Sequence, residues 1–115
     1  MYRQFDGFPE GHGVELATFL DGFKVVNGIG ERRTKLANGE GCLAAQIVLH
    51  FKGSMKDGPV GQFYLYPSGT RDVGEEYVYI VRVGGGEDPF SRGVILIECQ
   101  EAEFTGTPAE FLARF

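Results

Sequence analysis

The sequence predicts an α+β fold: one domain with a largely antiparallel four- to six-stranded sheet, two main helices packed on it and a short C-terminal helix. Three observations carry this expectation. Apolar residues recur at helical spacing in two stretches of the first half, and alternate at strand spacing through most of the second. Eighteen glycines fall at turns between these periodic segments, with no repeat. A chain of 115 residues holds one hydrophobic core but is too short for two.

Taken in order, Tyr2 to Phe5 reads as a short run entering a glycine-punctuated turn, Asp6 to Gly13. A first helix is expected from about Gly13 to Asp21, since Leu16, Phe19, Leu20 and Phe23 recur every three or four residues while Glu15, Thr18 and Asp21 face away. Gly22 is placed to end it in a left-handed cap. Phe23-Lys24-Val25-Val26 reads as a short strand closed by Asn27-Gly28. The basic stretch GERRTKLA, 30–37, reads as a solvated loop or as an arm supplying charge.

The second helix is expected from Gly39 or Glu40 to Phe51 or Lys52, with Asn38 as N-cap and a nearly all-round apolar surface, hence burial on more than one side. Cys42, Gln46 and His50, spaced by four, form its polar stripe, which either borders a pocket or leaves His50 against the terminal carbonyls. Strands are expected at Gln62 to Tyr66, Glu76 to Val83, Val94 to Cys99 and Ala102 to Phe104, the third of these interior because it is apolar on both faces. Thr107-Pro108-Ala109-Glu110 carries three start signals for a last helix, docked by Phe111, Leu112 and Phe115.

A net charge of −5 argues against coating duplex nucleic acid. No apolar run reaches membrane-spanning length, and Met1-Tyr2-Arg3-Gln4 lacks the apolar core of a signal peptide, so a cytoplasmic protein without membrane partners is expected. Cys42 and Cys99 are expected as reduced, buried thiols. Two histidines and no paired-cysteine spacing point away from a metal, and no cofactor motif is present.

Candidate chemistry falls in three loops. Gly11-His12-Gly13 at a helix start would let a ligand approach the backbone, because the first helical N–H groups lack intrahelical partners. Pro67 to Tyr77 is longer than a hairpin requires. In it Arg71 offers a forked pair to an anion, and Asp72, Glu75 and Glu76 are either ligand contacts or turn-makers. Gly84 to Gly93 reads as a lid tip or a plain hairpin loop.

The segments YRQFDGFPEGHG, GCLAAQIVLHFK and FYLYPSGTRDVGEEYVYIV resemble a family of small proteins of phages, prophages and bacteria with no established activity. The resemblance covers roughly 2–83 and weakens after that. It implies an accessory or host-takeover factor in the host cytoplasm. Some families of that kind are oligomers that sequester nucleotide signals of bacterial immunity.

The first functional expectation is therefore non-catalytic binding of a small anionic ligand, such as a nucleotide. Its site would draw on Arg3, Asp6, Gly11, His12, Gly13, Arg71, Asp72, Glu76 and Tyr77, with Arg32 as further charge and Tyr64, Tyr66 or Tyr79 stacking on a base. The glycine stretch forms a site only if the loop around Arg71 folds over it. A second expectation is a module that inhibits a host protein through its acidic, tyrosine-rich surface. A third is a small acid-base hydrolase or lyase pairing His12 with a carboxylate such as Glu76. Surplus apolar surface points to a homo-oligomer.

Overall fold

The computed structural model describes residues 1–3, 7–26, 35–53, 63–64, 75–84 and 94–115. It is a single small α+β domain. Strand β1 (Tyr2–Arg3) is followed by a π-type helical turn, Pro9–Gly13, and helix α1 (Val14–Leu20). Strands β2 (Lys24–Val26) and β3 (Leu36–Asn38) precede the long helix α2 (Gly39–Lys52). Strands β4 (Phe63–Tyr64), β5 (Ile80–Gly84) and β6 (Val94–Cys99) come next. A 3-10 turn, Gln100–Ala102, then leads to β7 (Phe104–Gly106) and helix α3 (Pro108–Arg114).

Among the described residues the seven strands form three sheets instead of one: β1-β4, β2-β3 and β5-β6-β7. The first and third are antiparallel, as expected, but β2 and β3 run parallel, with Val25 opposite Ala37. The difference lies in the basic stretch. Leu36 and Ala37, the end of the stretch read as a solvated loop or charged arm, form a strand with Asn38, the expected N-cap, and Ala37 is fully buried beside Val25.

The core lies where α1 and α3 pack together over β6, with β2 and β3 holding α2 beside them. Leu16, Ala17 and Leu20 of α1 meet Ile95 and Ile97 of β6, Phe104 of β7 and Phe111 of α3. Strand β6 is central in its sheet, but its burial alternates: Ile95, Ile97 and Cys99 are buried while Val94 is 55% exposed. It is the interior strand expected, with Leu96 and Glu98 of its other face half-buried. Helix α2 is less buried than its all-round apolarity suggests. Only Leu43 is fully buried, and Ala44, Ala45 and Leu49 are exposed.

Helix termini follow their local codes closely. Gly22, φ +84°, takes the left-handed conformation just after α1, open to glycine without a Cβ clash. Asn38 stands at the N-cap of α2 without a capping side-chain hydrogen bond. Thr107 and Glu110 form a reciprocal capping box on α3: Thr107 Oγ1 accepts from Glu110 N–H at 3.2 Å, and Glu110 Oε1 accepts from Thr107 N–H at 3.0 Å. Arg114, in the last turn of α3, ties the helix to the turn before β7, donating to the carbonyls of Glu103 and Ala102.

The box has a pH signature. Its hydrogen bonds to the Thr107 backbone and hydroxyl hold the Glu110 carboxyl below its ordinary value. A lowered folded value favours the charged form in the fold, so this contribution is complete above the ordinary glutamate range, near pH 4.3, and fades as pH falls through the lowered value. Urea titrations between about pH 3 and pH 7 should show stability falling less steeply for Glu110→Gln than for the native chain on the acid side. Parallel curves would deny the box its charge.

Candidate functional site

In the described part of the opening stretch Pro9, His12 and Gly13 are buried, while Phe8 and Glu10 stay exposed. The chain is already helical when it reaches Val14: Gly11 N–H donates to Phe8 O at 2.9 Å, and the Val14 N–H is accepted by the Gly11 and Pro9 carbonyls. The unsatisfied donor expected at that point is therefore occupied by the chain itself. Gly13 is buried, and a Cβ built there would lie 2.5 Å from Phe111 Cζ. The small residue answers a helix-packing requirement.

His12 is 8% exposed, its ring centroid 4.9 Å from that of Phe51 and 5.5 Å from that of Tyr79. Tyr79 O–H donates to Gly7 O at 2.6 Å, so the segment following the Arg71 loop does reach the opening stretch. Burial first, then nearby acidic groups, pushes the Tyr79 phenol well above its usual value, as expected for a hydroxyl kept neutral inside.

The other predicted residues are dispersed or lie elsewhere. Gly11 is half-buried in the π-type turn. Arg3 belongs to β1, opposite Phe63. Glu76 is exposed and Tyr77 half-buried, ahead of β5. Asp6, Arg71 and Asp72 lie outside the described residues, as do Arg32, Tyr66 and most of the second and third loops.

The described residues do frame a groove elsewhere, between α1 and the C-terminal turn of α2. It is open to solvent, has a volume of about 580 Å³ and is lined by Val14, Glu15, Thr18, Phe19, Lys35, His50 and Phe51. That volume falls within the roughly 300–1,000 Å³ of small-molecule sites. The local sequence builds it directly. Phe19 leaves the buried Leu16–Leu20 face by one position and is half-exposed. His50 ends the polar stripe of α2 and stacks on Phe19, centroids 4.1 Å apart and planes within 18°.

Behind this pair the rings continue inward. Phe51 lies edge-on to His50 at 5.0 Å and touches His12, which leads through Tyr79 to Phe111. The stripe's other members serve structure: Gln46 Nε2 donates to Leu36 O at 2.8 Å and lies 3.4 Å from Cys42 Sγ, tying α2 to β3.

Among the described lining residues the lysine, Lys35, is already engaged. Lys35, in the left-handed region at φ 59°, donates from Nζ to Asp21 O at 2.5 Å and to Thr18 O at 3.4 Å. There it answers the partly negative C-terminal carbonyls of α1. Of these lining residues the sequence points to His50 on the polar stripe of α2, to Val14 at the helix start beside Gly13, and to Lys35 within the stretch read as a solvated loop or a charged arm. Phe19 keeps the spacing of its buried neighbours and reads as core.

Both cysteines are free thiols. Cys99 is buried, and burial raises its thiol; Cys42, expected buried, is partly exposed, and hydrogen bonds from the Asn38 backbone and Gln46 lower it. Among the described residues no three His, Cys, Asp or Glu side chains cluster as metal ligands. Among the same residues no helix is long and apolar enough to cross a membrane.

Fold and groove together define a small α+β domain with an open, aromatic-walled groove. Compared with known proteins, the chain matches no family model, no curated protein and no solved structure.

Proposed function

We propose that the protein is a non-catalytic binding domain for a small ligand of the nucleotide class. It would act as an accessory factor of the kind its resemblance to phage and prophage proteins implies. The observation that supports this reading is the Phe19–His50 stack on the wall of a groove of ligand size. Exposed aromatic faces bind bases by stacking. Small-molecule sites are mostly apolar clefts with a few placed polar groups, and here Thr18, whose hydroxyl donates to Val14 O and so presents an acceptor, lines the groove with Glu15 and His50. The same reading includes self-association through α2, whose Leu49 is 68% exposed.

A nucleotide-panel thermal shift with the native chain, Phe19→Leu, His50→Ala and Arg71→Ala tests the proposal. At least one nucleotide should raise the melting temperature of the native chain, and the two groove variants should lose that rise. If no nucleotide moves the melting temperature at 100 times a micromolar dissociation constant, where binding would add about 2.7 kcal/mol, the reading fails. A second reading, a module that docks on a host protein, is favoured by the same exposed apolar face of α2. Capture of one host protein by the native chain but not by Leu49→Asp would favour it.

A further inference from the structure

Resting on the nucleotide-class reading, we infer that the groove recognises the flat face of a heteroaromatic ring, a nucleobase or nucleoside, and leaves any phosphate outside. Two independent features lead there. The first is the wall: Phe19 and His50 lie nearly parallel, with Phe23 tilted against Phe19 and Phe51 edge-on to His50, and His50 is the exposed member of the pair. A planar ring extends such a stack at van der Waals distance, whereas a tetrahedral phosphate gains nothing from it.

The second feature is the field. Phosphates settle at helix N-termini, where backbone N–H groups point outward. This groove runs along α1 to the C-terminal turn of α2, and at its Val14–Glu15 end, the first turn of α1, the Val14 N–H is already accepted by the Gly11 and Pro9 carbonyls. Thr18 and Phe19 lie in the last turn of α1, and His50 and Phe51 in that of α2. Carbonyl ends carry partial negative charge and disfavour an anion. Among the described residues Lys35 is the lysine of the lining, and its ammonium is held by the Thr18 and Asp21 carbonyls. The carboxylate of Glu15 shares the same lining. A neutral ring meets no penalty from this arrangement; a phosphate placed in it would.

Calorimetric titration of the full chain distinguishes the two ends of the ligand. The probes are the four common nucleosides, their 5′-mono- and triphosphates, and inorganic tripolyphosphate. The inference expects at least one nucleoside to bind within about threefold of its own triphosphate, with tripolyphosphate silent. Phe19→Leu, which keeps an apolar side chain, should weaken that nucleoside by about 5- to 150-fold, the range for losing one base–aromatic stack. Circular dichroism of the variant secures its fold.

A triphosphate at least about tenfold tighter than its nucleoside, with tripolyphosphate competing, overturns the inference while leaving nucleotide binding intact. A nucleoside that binds Phe19→Leu as well as the native chain also overturns it, because the site is then elsewhere. No heat from any probe removes both the inference and the reading beneath it.

Discussion

Phe111→Ala should lower the unfolding free energy by about 3–5 kcal/mol, the range for truncating a fully buried phenylalanine. Phe111 is 0% exposed and joins the two halves of the core. Its ring stands edge-on to Phe104 at 4.9 Å, lies 4.6 Å from Phe115 and leans toward Tyr79. It also fills the space over Gly13. Small domains have only about 5–15 kcal/mol of stability, so this loss is a large fraction of the total. Urea unfolding followed by circular dichroism measures it. A loss under about 1 kcal/mol would show that α3 is not part of the cooperative core.

Gly13→Ala should destabilise by about 1–3 kcal/mol, the usual range for overpacking. Two effects of opposite sign compete here. Gly13 has helical dihedrals, φ −58° and ψ −47°, so alanine alone would gain up to about 1 kcal/mol of helix propensity. Against this, the new Cβ would lie 2.5 Å from Phe111 Cζ, 2.9 Å from its Cε1 and 3.1 Å from Tyr79 Cε1. The clash wins because Phe111 is enclosed and cannot move aside freely.

Gly41 provides the control. It is also helical, and nothing lies within 4 Å of its Cβ position, so Gly41→Ala should stabilise by roughly 0.5–1 kcal/mol. In a Phe111→Leu background the cost of Gly13→Ala should shrink, a coupling that a double-mutant cycle reads directly. If Gly13→Ala stabilised the native chain, the close approach of α1 and α3 would be wrong.

The competition at Gly13 shows where sequence reasoning reached its limit. Glycine before a helix fits equally well a backbone opened to a ligand and a backbone pressed against another helix. The partner that separates these readings, Phe111, lies 98 positions further along the chain. His12 poses the same ambiguity: its neighbours Phe51 and Tyr79 come from α2 and from the segment before β5. The groove was harder still to anticipate. Phe19 keeps the spacing of a core residue, and only the position of α2 leaves its ring beside His50.

Strand assignment failed for a related reason. Leu36 to Asn38 is too short and too mixed to alternate visibly, and it becomes a strand by pairing in parallel with Lys24 to Val26. All-round apolarity of α2 suggested burial on more than one side, yet how much of a helix is covered depends on what packs against it. Leu49 remains 68% exposed.

The sequence by itself determined the α+β class, the course of α1, α2 and α3, and the capping box at Thr107. These depend on residues three or four apart, whose interactions are set by helix geometry wherever the helix lies. The tertiary structure decided the division of the strands into separate sheets among the described residues and the burial of Gly13 and His12. It also decided that Phe19 and His50 form one aromatic wall. Those outcomes depend on which distant surfaces meet, and chain spacing carries no such information.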